Sequence, residues 1–118
     1  MKVIIAGCRD IHDPEIVVES LKHAIPNTDD IGTIVSGKAP GVDTVGETVA
    51  KRLGIPVKEF PADWKKYNKA AGHIRNRQMA DYADVLVAIW DGKSRGTGNM
   101  IATMTKLGKP HYVHMVEK

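Results

Sequence analysis

The stretch Asp84-Val85-Leu86-Val87-Ala88-Ile89 followed by Trp90-Asp91-Gly92-Lys93-Ser94-Arg95-Gly96-Thr97-Gly98-Asn99-Met100 decides the fold. The first six residues are an apolar, β-branched run of strand length. After the glycines, Met100, Ile101, Met104 and Leu107 recur at helical spacing. Glycines and a hydroxyl therefore sit where a strand hands over to a helix. There, unpaired N–H groups and the positive end of the helix dipole attract an anion such as phosphate. Lys93 and Arg95 add positive charge. The segment is not the dinucleotide fingerprint, because Ile101 stands where a third glycine belongs. Asp91 reads either as a ligand contact, with a part in catalysis, or as a turn-former with Gly92.

The same strand-to-helix alternation runs along the chain. Lys2–Ala6, Thr33–Ser36, Ile55–Phe60, Asp84–Ile89 and His111–Met115 read as strands. Glu15–Ile25, Val42–Leu53, Ile74–Ala83 and Gly98–Leu107 read as helices. Val42, Val45, Val49 and Leu53 mark one face of the second helix, and Gly54 is its natural C-terminal cap. Residues 61–73 show no clean period. Strands alternating with helices predict an α/β domain, and continuous apolar strands predict burial on both faces. The expected architecture is a Rossmann-like three-layer sandwich over residues 1–118, with a mainly parallel five-stranded sheet in the order 3-2-1-4-5. In that order the first and fourth strands meet at the topological switch point. Ligands of open α/β sheets bind outside the carboxyl ends of such strands.

Composition narrows the class. A chain of 118 residues, 42% hydrophobic and 26% charged, is sized for one globular domain with a real core. Cys8 is the one cysteine, which rules out an internal disulfide and points to a reducing, cytoplasmic setting. The apolar run at the N-terminus breaks at Gly7, too short for a signal peptide, and no run approaches the about 20 residues that span a bilayer. A net charge of +3 suits an anionic ligand without demonstrating nucleic-acid binding. No His, Cys, Asp and Glu cluster has metal-ligand spacing, and no motif calls for a cofactor.

Two more loops, Gly7–Asp13 and Ser36–Asp43, are expected to line the crevice with Asp91–Asn99, and a third region, Pro61–Met79, is considered beside them. Gly7-Cys8-Arg9-Asp10 ends the first strand: Gly7 permits close backbone approach, and Arg9 either holds a phosphate through its fork of donors or pairs with Asp10 or Asp13. Cys8 lacks a local base and reads as a packed thiol. Ser36-Gly37-Lys38-Ala39-Pro40-Gly41-Val42-Asp43 is not a Walker A motif, since three residues rather than four separate its glycines. Ser36 and Gly37 read as binding residues, and Asp43 as a favourable charge in the first helical turn. Between Pro61 and Met79, aromatic and basic residues could stack a base, but Trp64 is expected to pack on the sheet edge and His73 to be a polar loop residue. Arg75 and Asn76 open a helix near the crevice and are the better ligand candidates.

Together Gly7-Cys8-Arg9-Asp10, the Val35–Asp43 loop, Ala71-Gly72-His73-Ile74-Arg75-Asn76-Arg77-Gln78-Met79 and Trp90–Thr97 resemble the YspA-like branch of the SLOG superfamily. That superfamily also holds the DNA-processing protein DprA and the LOG phosphoribohydrolases. The resemblance implies a Rossmann-like domain that binds nucleotides or their derivatives, as a sensor or ligand-sequestering module, often a homodimer and sometimes of phage or mobile-element origin. Within it, the usual Gly-Ser-Arg appears as Gly7-Cys8-Arg9, and Ser-Gly-Gly appears as Ser36-Gly37-Lys38. Gly96-Thr97 resembles the phosphate-binding Gly-Thr of LOG enzymes. The expected contacts are thus Gly7, Cys8, Arg9, Ser36, Gly37, Lys38, Asp43, Arg75, Asn76, Asp91, Lys93, Ser94, Arg95, Gly96, Thr97 and Gly98. Arg75 and Met79 match the arginine-to-methionine spacing that LOG hydrolysis uses, but Met100 stands where those enzymes carry glutamate. A thioether cannot handle a proton. The resemblance therefore favours binding over hydrolysis of an N-glycosidic bond, and it leaves DprA-like binding of single-stranded DNA as a further expectation.

Overall fold

A computed structural model describes residues 1–38 and 41–117. Five strands, β1 (Lys2–Gly7), β2 (Thr33–Ser36), β3 (Val57–Glu59), β4 (Val85–Trp90) and β5 (His111–Met115), form one sheet in the order β3-β2-β1-β4-β5. Every pairing is parallel; β1 runs beside β4 with Val3 opposite Val85 and Gly7 opposite Ile89. This is the order expected from the sequence.

The helices are α1 (Pro14–Ala24), α2 (Val42–Leu53), α3 (Trp64–Tyr67), α4 (Ala71–Tyr82) and α5 (Arg95–Lys106), with two short 3-10 turns. Pleating sends alternate β1 side chains to opposite faces. Val3 and Ile5 pack with Val17 and Leu21 of α1 and Val45 and Val49 of α2. Ile4 and Ala6 pack with Met79 and Ala80 of α4 and Met100 and Met104 of α5. The result is three layers, with β1 and β4 buried on both faces.

Local signals set most boundaries. Asp13 caps α1 by accepting from the Glu15 amide at 3.0 Å, and Pro14 takes the first helical position. Gly54 ends α2 in the left-handed region at φ 72°. Four regions differ clearly from expectation. Helix α4 begins at Ala71, three residues before the predicted start, so Arg75 and Asn76 lie in its second turn instead of opening it. β3 is three residues long, Val57–Glu59, with the Pro56 carbonyl and the Phe60 amide making the flanking bonds to β2. Residues 64–67, without a clear period in sequence, form the single turn of α3. Helix α5 begins at Arg95, three residues before the predicted start at Gly98, so Gly96 and Thr97 are helical too. The cause lies upstream: the Asp91 carboxylate accepts from the amides of Lys93 and Ser94 at 2.9 and 2.8 Å, and this turn launches the helix. Among the described residues no helix is long and apolar enough to cross a membrane.

Candidate functional site

The carboxyl ends of β1 and β4 open into a cavity of about 480 Å³, within the range of small-molecule pockets. Its floor is apolar, made by Ala6, Met79 and Met100. The β1 end contributes Gly7, Arg9 and Asp10; α2 contributes Asp43; α4 contributes Arg75 and Asn76; the start of α5 contributes Ser94 to Thr97. Three arginines, Arg9, Arg75 and Arg95, face two aspartates, Asp10 and Asp43. The first amides of α5 have no helical acceptor one turn back, and their residues line the same opening.

Glycine at position 7 is dictated by the sheet. A β-carbon there would collide with the Ile89 carbonyl and stand 2.9 Å from Val42 Cγ2. At Gly37 a β-carbon would stand 2.8 Å from Asp43 Oδ2 and 2.9 Å from Arg75 Nη1. Gly37 therefore leaves the space in which Asp43 and Arg75 approach one another. Arg75 is anchored from three sides: Nη1 donates to the Gly37 carbonyl, Nε donates to Asn76 Oδ1 at 3.0 Å, and Asp43 attracts its charge. Burial lowers its pKa, attraction to Asp43 opposes this, and repulsion from Arg9 adds to the lowering. The guanidinium stays protonated throughout the range of protein stability. Desolvated positive charge beside Arg9 is what an anion would relieve.

Buried Asn76 ties this arginine to the helix opposite. Its Nδ2 donates to the Gly96 carbonyl at 3.1 Å and to Asn99 Oδ1 at 2.9 Å. The turn before α5 is held as firmly. Ser94 O accepts from Trp90 Nε1 at 3.0 Å and from the Gly98 amide at 3.1 Å. Ser94 Oγ lies 3.6 Å from Cys8 Sγ, and the thiol, fully buried, donates to the Ile89 carbonyl.

Of the expected contacts, the cavity gathers Gly7, Arg9, Asp43, Arg75, Asn76, Ser94, Arg95, Gly96 and Thr97. Others lie elsewhere. Cys8 is packed behind the wall. The Gly98 amide is taken up by Ser94, and a β-carbon at 98 would press on the Trp90 ring at 3.2 Å, so this glycine serves packing. Asp91 and Lys93 line a separate depression beside Met115 and Val116. Ser36, buried, donates to Glu47 Oε2 at 2.7 Å. Gly37 and Lys38 border a smaller hollow on the far side of Arg75. Lys38 Nζ pairs with Glu47 at 2.9 Å and Glu59 at 3.5 Å, and its φ of 61° lies in the left-handed region that favours glycine. Ala39 and Pro40 of this loop lie outside the described residues. Sequence reasoning missed Glu47, whose signal was available: it lies one helical turn after Asp43 on α2. Trp64, expected on the sheet edge, is 52% exposed.

An all-parallel sheet with its crevice at the β1–β4 switch point, walled by glycine-bearing loops, defines a Rossmann-like α/β domain. More narrowly, the chain belongs to the YspA, cpYpsA-related SLOG family, whose model matches residues 1–67. No curated protein matches it in sequence. Among solved structures it is similar to DNA processing protein A from Helicobacter pylori, reported for a single-stranded DNA binding mode. The TM-score is 0.65 at 22% identity, over 96% of this chain. This chain spans 64% of that one, and at this identity the likeness is one of fold.

Proposed function

We propose that the domain binds a nucleotide or nucleotide derivative and acts as a sensor or ligand-sequestering module. The carrying observation is that Arg9, Arg75 and the first turn of α5 border one cavity above an apolar floor. Phosphate would sit against the amides of Gly96 and Thr97 and take its counter-charge from Arg9, Arg75 and Arg95. The apolar floor at Met79 and Met100 suits a sugar or base.

Met100 supports binding in preference to N-glycosidic hydrolysis. It is buried on the cavity floor, where the hydrolases that the chain resembles present a carboxylate. The hydrolytic alternative would depend on Asp43 or Asp10, which border the cavity, and no longer on Asp91, which does not. Calorimetry of the folded domain against nucleoside mono-, di- and triphosphates, cyclic nucleotides and ADP-ribose tests the proposal. Binding to one class, abolished in Arg75→Met, is the expected result. A folded domain that binds none of them excludes it.

The Helicobacter pylori neighbour motivates a second reading, in which the domain binds single-stranded DNA. A gel shift that persists at raised salt would support it, and one that vanishes at modest salt for every sequence would reduce it to charge attraction.

A further inference from the structure

The main cavity has a neighbour. On the other side of Arg9 and Arg75 lies a hollow of about 180 Å³, bordered by those same two arginines, Gly37, Pro61 and Trp64. The two spaces therefore meet at a pair of guanidinium groups. Trp64 stands at the hollow's edge with half its surface exposed, a costly position for the largest apolar side chain of the chain's polar loop region. Its tip is directed at α4, where residue 72 is glycine. A β-carbon at Gly72 would lie 3.7 Å from Trp64 Cη2 and 4.0 Å from Arg75 Nη2, so indole and guanidinium border one gap that the missing side chain leaves open. The cation nearest the hollow besides the arginines, Lys38, is already neutralised by Glu47 and Glu59. The hollow itself thus offers a flat aromatic face, and the positive charge is concentrated at the junction.

Resting on the nucleotide-binding reading above, we propose that the site is bipartite and takes a nucleoside diphosphate ester. The base stacks on Trp64 in the small hollow, the diphosphate bridges Arg9 and Arg75, and the second esterified group enters the larger cavity. The chemistry follows from the three surfaces. An indole face accepts any base, because every base has a π-face. Two convergent guanidinium groups match the paired oxygens of a diphosphate. A cavity of about 480 Å³ with an apolar floor and polar rim has room for a sugar. A mononucleotide would fill only one of the two spaces.

Calorimetry with ADP-glucose and glucose 1-phosphate separates the parts, because the two probes share the sugar phosphate and differ in the base-bearing half. Wild type should bind ADP-glucose more tightly. Trp64→Ala should weaken ADP-glucose at least about fivefold and leave glucose 1-phosphate unchanged. Gly72→Leu, a better helix former that fills the gap, should do the same while circular dichroism shows the fold retained. If Trp64→Ala alters neither probe, or both equally, the stacking subsite is wrong and the nucleotide-binding reading survives. If wild type binds a mononucleotide but not ADP-glucose, the bipartite ligand is wrong and the reading again survives. If no phosphorylated ligand binds the folded domain, both fall.

Discussion

Arg75 Nε donates to Asn76 Oδ1 across 3.0 Å, and the amide end of Asn76 reaches the Gly96 carbonyl on α5. One buried side chain thereby sets the distance between the arginine at the cavity wall and the helix start opposite it. Had Arg75 been free, its rotamer entropy would be lost on binding an anion; here that loss has already been taken at folding.

This relay makes Asn76 a positioning residue. Asn76→Ala should cost about 2 kcal/mol of stability, because Gly96 O and Asn99 lose a buried donor and Arg75 loses an acceptor. Asn76→Asp keeps the bond from Arg75 but turns a second oxygen on the Gly96 carbonyl, so it should also destabilise. Urea unfolding at neutral pH measures both; equal stability of Asn76→Ala and wild type would show that the relay contributes nothing.

Two glycines of the cavity wall should respond in opposite ways. Gly7→Ala forces a β-carbon onto the Ile89 carbonyl in the middle of the sheet and should destabilise by about 1–3 kcal/mol. Gly96→Ala meets nothing within 4 Å inside α5 and should be neutral or stabilising by up to about 1 kcal/mol. Thermal melts of the pair decide, and a reversed order would contradict the packing described for β1 and β4.

Lys109 holds the end of α4. Its Nζ donates to the carbonyls of Ala80, Asp81 and Ala83 at 2.7, 3.1 and 2.9 Å, around the C-terminus of the helix. Lys109→Met, which keeps the apolar stem, should cost about 1–2 kcal/mol and raise amide exchange in the last turn of α4. Unchanged exchange there would mean that water replaces the ammonium at no cost.

Lys38 carries a pH signature. Its hydrogen bond and charge attraction to Glu47, aided by Glu59, raise its pKa above the usual 10.5. The sign follows: the folded state holds this proton more tightly than the unfolded chain. The added stability is therefore complete below the usual lysine value and is lost as pH rises through the raised one. Lys38→Met should be less stable than wild type at neutral pH, and the gap should close in strongly alkaline solution. A gap that stays constant with pH would show that the charge of Lys38 is not its source.

Much of the framework was legible because it depends on local pattern. Val3, Ile5 and Ile4, Ala6 are apolar on both faces of one strand, which requires a layer of helices on each side, and handedness then restricts the strand order. Glycine-bearing turns after β1, β2 and β4 could be assigned to one edge of the sheet before any coordinate was known. The start of α5 was less legible: Gly96 and Thr97 look like loop residues, and only the Asp91 turn explains why the helix takes them in.

The sequence by itself determined the alternation of strands and helices, their parallel order and the edge at which the loops gather, since periodicity and connection rules act over short distances. Only the tertiary structure decided which side chains reach the crevice. Ser36 is claimed by Glu47, the Asn76 amide by the Gly96 carbonyl of α5, and Arg75 is aimed by the Gly37 carbonyl. These choices are hydrogen bonds between groups distant along the chain or on different elements. Each donor goes to whichever acceptor the packing of layers brings within about 3 Å, and that proximity is not written in any one segment.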